Sequence, residues 1–160
     1  MKIISTATKG NFKIMDESTE VSELVYASWF SGKASATIGE ISFELKPKNI
    51  WASKIDIYKN SNIIGDITFN LKGHMVIQLS ENNKEFSYIM KNNALWTLKF
   101  EVFDENEVLQ FNLNSEGKWS KLKYDYQVEM DAFNNNIPLE ELLIYCGYAS
   151  NLYLALISAV

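Results

Sequence analysis

From Leu142 to Val160 the chain runs for nineteen residues without a charged side chain. A helix that is apolar on every side must be covered by protein all round or by lipid, so this run limits the folds open to the rest of the chain. Its length meets the rule for a membrane span. Its details favour burial in protein. Ser150 and Asn151 stand in the middle, where hydrocarbon penalises polar groups, and Tyr145, Tyr148 and Tyr153 are spread along the run. A membrane helix would gather its aromatic residues at its ends. Glutamates precede the run, no lysine follows it, and Gly147, Ala149, Ala155 and Ala159 suit close approach of surrounding backbone. The preferred reading is a helix over about 138–160 with Leu142–Val160 buried in the protein. A tail anchor carrying a β domain on the cytoplasmic side is the alternative, and a partner-binding helix is a third reading. Asn134-Asn135-Asn136 offers an N-cap, Pro138 falls in the first turn, and Glu140 and Glu141 complement the helix dipole.

Before residue 134 the pattern has period 2, as in strands with one buried face. Ile41, Phe43 and Leu45 alternate with Ser42 and Glu44; Ile67, Phe69 and Leu71 alternate with Thr68 and Asn70. Ile55/Ile57, Met75/Ile77/Leu79, Phe86/Tyr88/Met90, Trp96–Val102, Leu109/Phe111/Leu113 and Leu122–Met130 continue it. Asp104-Glu105-Asn106-Glu107 reads as a hairpin turn and Asn114-Ser115-Glu116-Gly117 as another. Weaker strands are expected near Lys2–Thr8, Phe12–Met15 and Val21–Phe30. That makes ten to twelve strands over about 2–130, at barrel or sandwich spacing. Joined to the apolar helix, the pattern predicts a mostly β fold: a closed barrel of roughly twelve strands threaded by the C-terminal helix. The 160 residues are read as one domain.

The final strand Lys123-Tyr124-Asp125-Tyr126-Gln127-Val128-Glu129-Met130, the Asp/Asn loop after it and the apolar helix Leu139–Val160 resemble the tubby C-terminal-like superfamily. That group includes the LURP-one-related proteins and the phospholipid scramblases. The strand-rich stretch Phe86–Leu113 is similar in character. The resemblance implies a barrel of about twelve strands around a hydrophobic C-terminal helix. It also implies basic residues on the barrel surface that bind a phosphoinositide headgroup through a Lys-x-Arg pattern.

Several activities find no support in the residues. The net charge is −5 and all 15 basic residues are lysine. A basic chain rich in arginine, which forks onto phosphate and guanine, is the usual mark of nucleic-acid binders, so nucleic acid is not an expected partner. His74 stands alone, without a Gly-x-Ser-x-Gly elbow, and reads as a strand-end histidine. Cys146, the single cysteine, lies in the apolar run, where burial leaves a thiol inert. One histidine and one cysteine cannot complete a zinc site. Asp104, Glu105 and Glu107 form an acidic turn without EF-hand spacing, and no glycine-rich phosphate loop occurs. The carboxylate pairs Glu40/Glu44 and Asp125/Glu129 are read as surface charge, with a carboxylate-dependent hydrolase as a second alternative. No enzyme activity, cofactor or metal is expected. The N-terminal residues lack an apolar h-region, which predicts no signal peptide and a cytoplasmic location.

Two Lys-x-Lys pairs remain, Lys46/Lys48 around Pro47 and Lys121/Lys123. At strand spacing each pair points to one face. Lysine attracts phosphate as a point charge without forking onto it. These four lysines are the candidate contacts of a non-enzymatic binding or scaffold domain. Its expected partner is weakly bound anionic phospholipid or another protein.

Overall fold

The computed structural model describes residues 1–6, 10–49, 53–93, 98–116, 124–130, 133 and 136–158. Twelve strands are seen among them, in the order β1 Lys2–Ser5, β2 Phe12–Asp16, β3 Thr19–Tyr26, β4 Ala34–Ile38, β5 Ile41–Pro47 and β6 Lys54–Lys59. They continue with β7 Asn62–Phe69, β8 Met75–Glu81, β9 Lys84–Asn92, β10 Lys99–Asp104, β11 Leu109–Glu116 and β12 Asp125–Glu129. Helix α1, Leu139–Ser158, ends the chain's regular structure.

Each strand pairs antiparallel with the next, and β1 closes on β12 with Ile3 opposite Tyr126, giving an up-and-down barrel without an edge. Local chemistry sets the hairpins. Asn60-Ser61 and Asn82-Asn83 are two-residue turns with positive φ at both positions, as a type I′ turn demands, and asparagine tolerates that region. Most of the predicted apolar set points inward: Phe43, Leu45, Ile55, Ile57, Ile67, Met75, Ile77, Met90, Phe100, Val102 and Leu113 are all buried, whereas Ile41, Leu71, Leu109 and Met130 are exposed.

The helix runs through the lumen. Every residue from Leu142 to Ala149 is buried, which no helix lying on the outside of a barrel could achieve. Its partners come from round the wall. Tyr148 stacks on Tyr26 of β3 at 5.6 Å, Tyr145 meets Phe43 of β5 edge-on at 6.2 Å, and Tyr153 meets Phe100 of β10 at 5.5 Å. The axis lies nearest β2, β3 and β4. There the fully buried side chains of β4 are the small Ala34 and Ala36, with Ile38 half-buried at the strand end, which leaves room for it. Among the described residues no helix is long and apolar enough to cross a membrane. The apolar run serves as barrel core, and the tail-anchor alternative is set aside.

Several expectations need correction. Leu71, expected to continue the Ile67/Phe69 alternation, lies beyond β7 and is fully exposed. Burial was expected over Leu142–Val160, but it stops at Ser150; Asn151–Leu154 are half-buried and 155–158 exposed. A helix rises about 1.5 Å per residue, so a dozen residues already match the height of strands only four to nine residues long. β3 ends at Tyr26, and Trp29–Ser31 form a 3-10 turn in place of the strand expected to Phe30. Asn114-Ser115-Glu116 belong to β11 and pair with β12, so no turn begins there. β4, Ala-Ser-Ala-Thr-Ile, gave no bulky period-2 signal and was missed. The expected strand residues Trp96 and Leu122, and most of the proposed cap at 134–136, lie outside the described residues.

Candidate functional site

An up-and-down barrel puts alternate connections at opposite ends. At the end where α1 enters, the turns between strands hold Glu17, Glu40, Glu105 and Glu107, with Glu140 at the start of the helix and no lysine. At the end where α1 leaves, the described residues of the connections hold Lys33, Lys48 and Lys72 and no acid. All three lysines are exposed, and none makes an ion pair with another described residue. The chain's −5 charge is therefore unevenly spread, with bare lysines at the exit end. His74 reports the same field: burial and the nearby Lys91 and Lys72 ammonium groups hold its pKa below the ordinary value.

The exit-end connections are held in defined shapes. The Asn70 side chain accepts from the backbone N–H of Lys72 at 2.9 Å and of His74 at 3.0 Å, while Gly73 takes φ +76° to close the turn. This is an Asx-type loop, and its apex is Leu71. In the β3–β4 connection Ser31 N–H donates to the Ser28 carbonyl at 3.2 Å, and its hydroxyl donates to the same oxygen at 3.0 Å. That turn presents Phe30, which is 99% exposed. The helix anchors the β3–β4 and β1–β2 connections, because the Tyr148 hydroxyl donates to the Gly32 carbonyl at 2.7 Å and the Asn151 amide to that of Gly10 at 2.8 Å.

The predicted lysine pairs fare differently. Lys46 is neutralised: its ammonium lies 2.6 Å from the Glu44 carboxylate and 4.3 Å over the Tyr58 ring. Lys48, one residue past β5, is exposed and has no such partner among the described residues. The structure thus splits the pair that the strand spacing had joined. Lys121 and Lys123 lie outside the described residues. Lys33 and Lys72 were missed because each stands alone in its loop. The signal that finds them is the number of the connection: once the strands are counted, the lysines fall in connections of one parity and the acids in those of the other.

The remaining candidates sit in unreactive settings. Burial pushes the Cys146 thiol far up. Asp125 accepts the Ser5 N–H at 2.8 Å. Asp125 and Glu129 stand at opposite ends of β12, about 13 Å apart at strand rise, beyond the roughly 5–9.5 Å of paired glycosidase carboxylates. Glu44 is held by Lys46, and Glu40 stands on a turn. A groove of about 480 Å³ at β7–β9 is lined by Asp66, Glu85 and Glu105 with Ile63, Leu79 and Phe86. Its acids make it a poor seat for an anion.

One charged cluster unforeseen in the sequence lies inside the barrel. The Lys59 ammonium sits 2.6 Å from Glu81 and 2.8 Å from Glu141, and the Tyr145 hydroxyl donates to the other Glu141 oxygen at 2.9 Å. Burial would lower the Lys59 pKa, but the bonds from Glu141 and Glu81 outweigh it and the pKa is raised. Glu141 is only 2% exposed and both its oxygens are taken, so this cluster seats the helix. Comparison with protein-family models, with curated proteins and with solved structures finds no match to this chain.

Proposed function

We propose that the chain is a non-enzymatic binding domain of tubby-like form. It docks the barrel end from which α1 emerges onto a surface of anionic phospholipid. One observation carries the reading: Lys33, Lys48 and Lys72 are exposed, unpaired among the described residues and grouped at one end, while the turn glutamates stand at the other. A lysine near an anionic bilayer contributes about 1 kcal/mol, so three give a modest but measurable attraction. The acidic end is repelled, which orients the molecule. A barrel around a C-terminal helix is the arrangement the tubby-like resemblance implies, and lipid binding agrees with it. The contact keeps Lys48 of the first expected set and adds Lys33 and Lys72, while Lys46 pairs with Glu44. Anionic lipid faces the cytoplasm in most membranes, so the reading carries a cytoplasmic location with it.

Co-sedimentation with phosphatidylcholine vesicles, with and without phosphatidylserine, tests this. Binding is expected only with phosphatidylserine and should weaken steeply with salt, because screening acts within about 8 Å at physiological ionic strength. Lys33→Glu with Lys48→Glu and Lys72→Glu should abolish it. Lys84→Glu, on an exposed residue at the acidic end, should not. No binding by the wild-type chain at low salt would overturn the reading.

A further inference from the structure

We propose that docking is completed by shallow insertion, in which Phe30, Leu71 and the emergent turn of α1 carrying Leu156 and Ile157 enter the headgroup–acyl boundary of the anionic bilayer. The inference rests on the lipid reading above and adds an apolar contact to it.

Phe30 and Leu71 are fully exposed, and Leu156 and Ile157 are exposed on the last turns of the helix. All four belong to the end of the barrel that carries the bare lysines. Phe30 shares its connection with Lys33, and Leu71 is followed at once by Lys72. An apolar apex beside a lysine suits an anionic interface: the ring or isobutyl group leaves water while the ammonium stays among the phosphates. Exposed apolar residues also occur at the entry end, as with Ile63 and Val108. Val108 follows Glu105 and Glu107 in its turn, and Ile63 shares its groove with Glu85 and Glu105, so an anionic surface would repel both.

The presentation is preorganised. The Asn70 bonds hold the Leu71 loop and the Ser28–Ser31 bonds hold the Phe30 turn, so little ordering is needed on contact. The two connections are separated by four strands, roughly 19 Å of arc at 4.8 Å per strand, and the helix leaves the lumen beside β2, β3 and β4, where Asn151 donates to the Gly10 carbonyl. Three separated apolar points define a plane. Insertion at all three stands the barrel with its exit end on the bilayer.

Vesicles of phosphatidylcholine with phosphatidylserine provide the test. The wild-type chain should keep part of its binding at salt that screens the lysines. Phe30→Ser with Leu71→Ser should lower affinity at physiological salt about tenfold or more, leaving the low-salt component and the melting temperature in place. Leu71→Cys labelled with an environment-sensitive fluorophore should shift to the blue on vesicles, and Ser61→Cys at the entry end should not; the buried Cys146 should not take the label. If the wild-type chain binds but all binding is lost in salt, and the serine variant matches it, the lysine reading stands and insertion is overturned. A label at residue 71 that stays unshifted on bound protein overturns insertion too. If the serine changes only dissolve a dimer in solution, the tips are a self-contact and the inference falls. No wild-type binding at low salt removes the lipid reading and this inference together.

Discussion

Lys59 of β6 reaches into the lumen and meets Glu141 of α1 at 2.8 Å, joining the barrel wall to the first turn of the helix. Glu81 of β8 completes the grip from a second strand at 2.6 Å. Removing the cation strands two carboxylates, one of them 2% exposed. Lys59→Met should therefore destabilise the fold by about 2–3 kcal/mol, below the roughly 3–5 of a fully buried pair because Lys59 and Glu81 keep some water. Glu141→Gln, which still accepts from Tyr145, should cost less, about 1–2 kcal/mol. Urea unfolding of both variants checks the order; equal and negligible losses would show that the cluster does not seat the helix.

Gly147 and Phe12 make the tightest passage of helix past wall. A Cβ at Gly147 would stand 2.9 Å from the Phe12 Cε1 and Cε2 atoms, and Phe12 is itself packed inside. Close approach was foreseen at Gly147, but to backbone; the neighbour is an aromatic ring. Gly147→Leu should overpack the lumen and cost about 3 kcal/mol or more. Adding Phe12→Ala should recover part of the loss from the smaller change Gly147→Ala, as expected for residues in contact. A melting temperature unmoved by Gly147→Leu would contradict the close packing.

The period-2 runs and the charge-free C-terminus made the barrel and its central helix legible in the sequence, because burial imposes those patterns directly. β4 was illegible because a wall residue facing the helix at close range must be small, and Ala34 and Ala36 leave no hydrophobic signature. The exit of the helix was illegible because composition does not change where the barrel ends: Leu154 is half-buried and Leu156 exposed. The lysine ring was hidden for another reason. Lys33, Lys48 and Lys72 come together only through strand count and closure, whereas local spacing pointed to Lys46, which Glu44 occupies. Glu141 read only as a complement to the helix dipole; the inward end of β6 shows that it has a cation to meet.

Burial of the helix predicts two different truncations. A chain ending at Asn136 loses every contact from Leu142 to Ala149 and leaves the inner face of the strands open to water. The apolar area involved exceeds a total stability of about 5–15 kcal/mol, so that chain should be unfolded or insoluble. A chain ending at Leu154 loses, among the described residues, only the exposed 155–158 and should melt within a few degrees of the full chain. Circular dichroism melts of both settle it; cooperative unfolding of the shorter chain would mean that the barrel stands without its core.

Alkaline pH offers the last test, because the lumen is lined with phenols. Burial raises the pKa of Tyr26, Tyr88, Tyr124, Tyr126, Tyr145 and Tyr148, with Tyr88 pushed up to about 12 and Tyr26, Tyr126, Tyr145 and Tyr148 beyond it. A free tyrosine ionises near pH 10. Below that value folded and unfolded chains hold the same phenolic protons, and the full stabilisation from these groups is present. Above it the unfolded chain releases protons that the folded chain retains, so stability falls as pH rises. Each such tyrosine contributes a slope of about 1.4 kcal/mol per pH unit. Lys59 adds the same sign, since its raised pKa gives stability that is lost as pH climbs through the folded value. The phenols should leave the unfolding free energy flat from pH 7 to 9. From about pH 10 it should drop steeply, ending in abrupt alkaline unfolding. Tyrosinate absorbance followed with far-ultraviolet circular dichroism is the measurement. The buried phenols should ionise in one cooperative step together with loss of the strand signal. Smooth ionisation of all eight tyrosines near pH 10 with the barrel intact would mean that water reaches the lumen.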